Sequence, residues 1–167
     1  MKVILLMAMT ADGLTAKNSS EFVDWTEKED KKIFVDVTKR SGAVIMGRNT
    51  YKTIEKPLKN RKNIVYSKSV KGEYPDQDLF YTSEKPELLL KKLETEGFKE
   101  VVLIGGSEIN TLFARSNLID ELLLTLSPVF FGSGLTMFTD KIEFDLKLKE
   151  FNRIGSDSIL IRYEILK

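Results

Sequence analysis

Two apolar runs that each end in glycine constrain this chain more than any other feature: Val44-Ile-Met-Gly-Arg-Asn-Thr50 and Val101-Val-Leu-Ile-Gly-Gly106. Each reads as a buried strand running straight into a helix start. There the first backbone N–H groups have no intrahelical acceptor and the helix dipole presents its positive end, which suits phosphate. Two such junctions in 167 residues predict a nucleotide-type ligand clamped between them. Neither run has the spacing of a Walker loop or of the G-x-G-x-x-G dinucleotide fingerprint.

Composition narrows the chemistry. With 42% hydrophobic and 31% charged residues, the chain reads as one soluble globular domain, residues 1–167, large enough to bury a core without staples. A net charge of +1 gives no electrostatic reason to expect nucleic acid or an anionic membrane as partner. There is no cysteine, which excludes disulfides, thiolate nucleophiles and cysteine metal sites. There is no histidine either, so acid–base chemistry falls to Asp, Glu, Lys, Tyr or water, and no metal site is expected. Met1–Met9 is too short for a membrane span and lacks the regions of a signal peptide, so it reads as a first strand of a cytoplasmic protein.

The apolar periodicity predicts strands at Val3–Met9, Ala43–Met46, Asn63–Tyr66, Leu79–Tyr81 and Glu100–Ile104, then a β-rich tail of Leu122–Leu126, Pro128–Phe131, Phe144–Phe151 and Ser158–Ile165. Between them, helices are expected over 26–41, opened by a Thr26–Glu29 capping box and closed at Gly42, then over Thr50–Ile54, Glu87–Glu96 and Glu108–Phe113. Lys71–Asp78 reads as a turn-rich connection, and Thr10–Trp25 as a long loop of the kind that carries function. Phe130, Phe131, Phe138, Phe144 and Phe151 read as core. The fold class is α/β: a mostly parallel central sheet, helices on both faces, and antiparallel C-terminal strands. In such sheets ligands sit at the carboxyl ends of the parallel strands, where Gly47, Gly105 and the loop after Met9 fall.

These residues resemble dihydrofolate reductase. The densest match runs from Val44 to Thr50 and on through Ile54, Pro57-Leu58 and Arg61-Lys-Asn-Ile64 to Ser67; Ile104-Gly-Gly106 and Leu124-Thr125 extend it. The resemblance implies hydride transfer from NADPH to dihydrofolate. On the cofactor side it implies Arg48, with Ser67 and Lys68, at the 2′-phosphate, and the amides of Gly47, Arg48, Asn49 and Thr50 at the pyrophosphate. It adds Gly105 and Gly106, similar to the family's cis pair, and Ala8, Thr15, Tyr66, Ser107, Glu108 and Ile109. On the substrate side it implies Asp30 as the carboxylate that holds the pterin ring, with Phe34 one helical turn on. Thr125 would brace that carboxylate, Trp25 would end the mobile loop, and Arg61 would grip the glutamate tail. Met7, Ala8, Ile54 and Ile104 complete the substrate contacts. Proton delivery is assigned to water in this family, so the missing histidine is no obstacle.

Other features point elsewhere. Met9-Thr-Ala-Asp-Gly13 and Ser127-Pro-Val-Phe-Phe-Gly-Ser-Gly134 resemble the reductase domain of riboflavin biosynthesis, which has the same fold and cofactor. Asn110 stands where folate enzymes carry a tyrosine near the nicotinamide. Ala16–Trp25 does not reproduce the usual mobile loop, and the interval from Asp30 to Gly47 is one residue longer than the folate pattern. Taken alone, Asp30 could be a solvated first-turn residue with Glu29 as its rival, and Arg61 part of a solvated basic run. A riboflavin-pathway pyrimidinone reductase and a non-catalytic nucleotide-binding protein are therefore the alternatives. Monomer and homodimer both stay open.

Overall fold

A strand covered on both faces needs apolar or small side chains at successive positions, and Val3–Leu6, Ala43–Gly47 and Val101–Ile104 are buried throughout. They form the middle of one eight-stranded sheet in a computed structural model that describes residues 1–20, 23–69 and 78–167. The Lys71–Asp78 connection, apart from Asp78, lies outside the described residues, as do two positions of the Thr10–Trp25 loop.

The strands are β1 (Lys2–Thr10), β2 (Ala43–Gly47), β3 (Lys62–Tyr66), β4 (Leu79–Thr82), β5 (Glu100–Leu103), β6 (Glu121–Ser127), β7 (Asp145–Ile154) and β8 (Ser158–Leu166). Their order across the sheet is β4-β3-β2-β5-β1-β6-β8-β7. The first six run parallel; β8 is antiparallel to β6, and β7 to β8, as the β-rich tail predicts.

Side-chain alternation splits the core into two layers. On one face α1 (Lys28–Ser41) and α2 (Arg48–Ile54) bring Ile33, Phe34, Val37, Tyr51 and Ile54 against Ile4, Leu6, Val44, Met46, Val102, Ile104 and Leu123. On the other, α3 (Pro86–Thr95) and α4 (Ser107–Arg115) bring Leu89, Leu90, Leu93 and Phe113 against Val3, Leu5, Ile45, Ile64, Val101 and Leu103. Gly42 ends α1 in the left-handed conformation at φ 72°, which glycine adopts without a Cβ clash.

Three local expectations fail for physical reasons. The capping box does not form. Glu27 is the N-cap of α1 without a side-chain cap bond, and its carboxylate instead accepts the Ser156 N–H (2.9 Å) in the turn between β7 and β8. Pro128–Phe131 is not a strand: Pro128 has no N–H for a ladder, β6 stops at Ser127, and the chain turns outward. Phe130 and Phe151 are not core; they are 76% and 67% exposed, one on that turn and one on the edge strand β7.

Phe113 is fully buried on α4, edge-on to Tyr66 at a centroid distance of 5.9 Å. Phe113→Ala should cost about 3–5 kcal/mol of unfolding free energy in urea denaturation, since it combines lost burial with a cavity. A loss below about 1 kcal/mol would mean that this layer is loosely packed.

Candidate functional site

The topology fixes where a ligand can sit. The chain leaves β1 and β2 for helices on one face, and leaves β5, which lies between them, for α4 on the other. Diverging exits open a crevice at the carboxyl ends of these strands.

Both glycine junctions meet there. The Gly47 N–H donates to the Gly105 carbonyl (2.8 Å), which ties the exits of β2 and β5 together. The peptide between Gly105 and Gly106 is cis, and Gly105 has φ 97°. A Cβ on Gly47 would lie 3.0 Å from Ile109 Cγ1, so α4 packs tightly against this glycine. Thr50 Oγ1 faces the glycine pair, 3.4 Å from where a Cβ on Gly106 would stand. Gly47 and Gly106 are the N-caps of α2 and α4, and neither helix start has a side-chain cap bond. The bond between Gly47 and Gly105 sets the two helix starts side by side, and the first amides of a helix have no acceptor within it.

At the neighbouring end of β3, the exposed Arg48 guanidinium donates through Nη1 to Ser69 Oγ, and Ser69 lies 3.4 Å from Ser67 Oγ. Lys68 is exposed between them. A planar cationic fork beside two hydroxyls is a donor set for a phosphate monoester. Together with the helix starts, this set fits a dinucleotide carrying an extra phosphate. Ser69 is absent from the sequence-derived set, and only its nearness to Ser67 could have suggested it. Asn49 and Glu108 are exposed, Ile109 packs on Gly47, and Ser107 Oγ donates to the Thr136 carbonyl. The Tyr66 side chain points away into the core against Phe113. Burial first, then Glu84 and Glu87, pushes its phenol pKa up.

On the α1 side of the crevice, Phe34, Ile54 and Ile104 share one apolar cluster with Leu58 and Tyr51. Arg61 is buried beside it. Its Nη1 donates to Thr38 Oγ1 (2.7 Å) and its Nε to the Lys59 carbonyl (3.0 Å), while Thr38 donates to the Phe34 carbonyl (2.6 Å). Desolvation by burial lowers the Arg61 pKa. Ala8 pairs in register with Thr125, which is fully buried. Among the described residues, the Thr125 hydroxyl has no hydrogen-bond partner. Asp30 stands half-buried in the first turn of α1, one turn before Phe34, and makes no hydrogen bond to Thr125. Asp30 and Phe34 are thus neighbours, while Asp30 and Thr125 are not joined.

Met7 lies on the opposite face, its Sδ 3.6 Å from a Cβ built on Gly105 and 3.7 Å from Asn110 Nδ2. Asn110 is fully buried and also donates to the Met137 carbonyl (2.9 Å). Thr15 is committed to the 135–136 segment, with Oγ1 donating to the Leu135 carbonyl (3.2 Å). Trp25 packs edge-on against Phe131 at 5.3 Å. Asp12, quoted in the sequence only as part of Met9–Gly13, joins this wall by accepting the Gly132 N–H (2.7 Å).

Two cavities lie outside this crevice. One of about 580 Å³ is lined by Lys2, Glu121, Lys149, Arg162 and Glu164 near the amino end of β1, and another of about 160 Å³ lies under Ile33, Val37 and Leu160. The first is a charged surface cluster, where Glu121 pairs with Lys2 and Arg162. It holds none of the glycine or helix-start donors. Among the described residues no group of acidic side chains could hold a metal ion, and no helix is long and apolar enough to cross a membrane.

Known proteins resemble this chain in sequence and in fold. The profile of the RibD C-terminal domain matches residues 1–160. The chain is 28% identical over 162 residues to the uncharacterized protein YwjB of Bacillus subtilis, covering 92% of each. It is 26% identical over 160 residues to the dihydrofolate reductase of Ureaplasma parvum, covering 95% of this chain and 94% of that one. The structure of Acinetobacter baumannii RibD superposes with a TM-score of 0.84 at 21% identity, over 99% of this chain and 58% of RibD. At that identity the superposition speaks for the fold alone.

The Glu27 carboxyl is held below its usual range, above all by the Ser156 N–H, with desolvation as the opposing effect. A depressed carboxyl contributes stability that is complete above its unfolded value of about 4.3 and is lost as pH falls through the folded value. Thermal melts of Glu27→Gln should therefore depend less steeply on pH than the parent's between about pH 5 and pH 3. Parallel curves would mean that the contact between α1 and the β7–β8 turn carries no charge-dependent energy.

Proposed function

Because this chain belongs to the RibD C-terminal domain family, we propose that it is an NADPH-dependent reductase that converts 7,8-dihydrofolate to tetrahydrofolate. The observation that carries the substrate half is the apolar Phe34–Ile54–Leu58–Ile104 cluster with the Arg61 guanidinium at its border. A flat heterocycle with an aromatic, carboxylate-ended tail suits such a slot. For the cofactor, the support is Arg48 with Ser67 and Ser69 beside two uncapped helix starts. A reaction fed by free NADPH belongs in the cytoplasm.

When bound, the dinucleotide supplies the hydride. The amides of Gly47 to Thr50 and of Ser107 and Glu108 hold its pyrophosphate, with Gly105 and Gly106 allowing close approach. Arg48 selects the 2′-phosphate by charge-assisted hydrogen bonds. Met7 and Ala8 form the floor between cofactor and substrate. Asp30 orients the ring and favours protonation at the ring nitrogen, with the proton itself delivered by water. Thr125 braces Asp30 once substrate draws the two together, and Trp25 excludes solvent from that side.

A second reading, reduction of a riboflavin-pathway pyrimidinone, is favoured by one observation: Asp30 and Thr125 are not hydrogen-bonded to each other. NADPH oxidation with dihydrofolate, with and without methotrexate, separates the two. Methotrexate-sensitive turnover is the expected result. Turnover only with the pyrimidinone would move the assignment to the second reading, and NADPH binding without any turnover would leave a nucleotide-binding protein.

Asp30→Asn should cut turnover by about 10²–10⁴-fold while changing the NADPH dissociation constant by less than about 2-fold. Unchanged turnover in that variant would move the carboxylate role to another residue. Arg48→Ala should lose about 2 kcal/mol, or roughly 30-fold, of NADPH-over-NADH preference, measured as the ratio of the two kcat/KM values. An unchanged ratio would remove Arg48 from the phosphate site.

A further inference from the structure

Residues 10–20 and 128–136 are zipped into one unit that the reductase reading leaves without a role. The Ala11 N–H donates to the Val129 carbonyl (2.9 Å), the Thr15 N–H to the Leu135 carbonyl (2.8 Å) and the Leu135 N–H to the Ala16 carbonyl (2.8 Å), so Ala16 and Leu135 form a β-bridge. The two backbones touch: a Cβ on Gly134 would lie 2.3 Å from the Ala16 oxygen.

Asp12 closes the other end of the zipper. Its Oδ1 accepts the Thr10 hydroxyl (2.5 Å), its Oδ2 accepts the Gly132 N–H (2.7 Å), and the Phe131 N–H reaches both oxygens at 3.3 Å. Phe131, fixed through its own amide, then meets Trp25 edge-on at 5.3 Å and carries the Lys17 ammonium 5.0 Å from its ring centroid. Trp25 immediately precedes α1, which carries Asp30 and Phe34. The same unit runs on to α4, through Ser107 Oγ to the Thr136 carbonyl and Asn110 Nδ2 to the Met137 carbonyl.

We propose that Asp12 is a positioning residue: by clasping the exit of β1 to the Phe131–Gly132 turn, it holds the two loops as one body and sets the Trp25–Phe131 wall beside the substrate-binding turn of α1. A carboxylate is needed because two donors approach from opposite sides. An amide offers one acceptor oxygen, so Asp12→Asn can keep the Thr10 side or the Gly132 side and must turn an N–H donor toward the other. The Thr10 hydroxyl, then the Gly132 and Phe131 amides, hold the Asp12 carboxyl below its ordinary range, as expected for an anion gripped by donors. Without the clasp, two loops lacking strand structure of their own regain conformational freedom.

Trp25 is the single tryptophan of the chain, so its emission reads the wall directly, without substrate or turnover. Asp12→Asn and Asp12→Ala should each shift that emission to the red and raise acrylamide quenching about two-fold, with far-ultraviolet circular dichroism unchanged. Thr10→Val, which removes one donor of the clasp with Asp12 and both rings intact, should reproduce the shift, and it decides the matter if the Asp12 variants do not fold. Unaltered emission and quenching in folded variants would overturn the proposal. The kinetic arm alone rests on the reductase reading: the substrate KM should rise roughly 10-fold with kcat within about 3-fold. A spectral shift with unchanged KM would overturn the substrate-side role. A spectral shift in a protein whose parent turns over neither substrate would leave the clasp standing and remove the reductase reading.

Discussion

The hydrogen bond from the Gly47 amide to the Gly105 carbonyl is the point on which the crevice depends. It joins the exits of two adjacent parallel strands at the level where their helices diverge to opposite faces. Glycine suits both positions for different reasons: a Cβ on Gly47 would crowd Ile109 Cγ1 at 3.0 Å, and Gly105 stands at φ 97°. The consequence is electrostatic. Two helix starts without side-chain caps lie side by side, each presenting the positive end of its dipole, and the Arg48 guanidinium lies near them beside Ser69. The proposed anion site thus follows from how the sheet is wound.

The other side of the crevice follows a different logic. Its apolar wall draws Phe34 from α1, Ile54 from α2 and Ile104 from the turn after β5, all packed on one face of the sheet. Arg61 is buried against this wall, where leaving the donors of a guanidinium unpaired is costly. Thr38 and the Lys59 carbonyl engage two of them, and Thr38 in turn anchors to the Phe34 carbonyl. The wall and the cation are one hydrogen-bonded unit, so a shift of α1 moves both. The zipped loops meet Trp25, three residues ahead of α1, and reach α4 through Asn110. The two halves of the site therefore share a mechanical connection through Asp12.

Much of the fold was legible because its signals are local. Val3–Met9 and Ala43–Met46 announce doubly covered strands by apolar continuity, and Gly42 announces the end of α1. Where a distant partner competes, local rules lose. Thr26 and Glu29 have the pattern of a capping box, but the β7–β8 turn recruits Glu27 and crowds Glu29, with the Glu29 oxygen 2.8 Å from a Cβ built on Gly155. Pro128–Phe131 has strand composition, yet the amide of Phe131 and that of the following Gly132 find Asp12, 119 and 120 residues earlier, in place of a neighbouring strand. Tyr66 sits in the right strand for the cofactor side, but its position in the alternation sends the ring into the core.

The sequence by itself determined the class of sheet, the two glycine junctions and the chemistry that is excluded, because composition and periodicity act within a few residues of the chain. It also determined that no histidine or cysteine takes part. Tertiary structure alone decided that both glycine junctions meet, that Arg61 turns inward to Thr38, that Asp30 and Thr125 stay apart, and that Asp12 joins two loops. Those outcomes depend on strand order and register, which bring together residues from 23 to 120 positions apart. No local preference encodes which donors will face a given carboxylate once the sheet has closed.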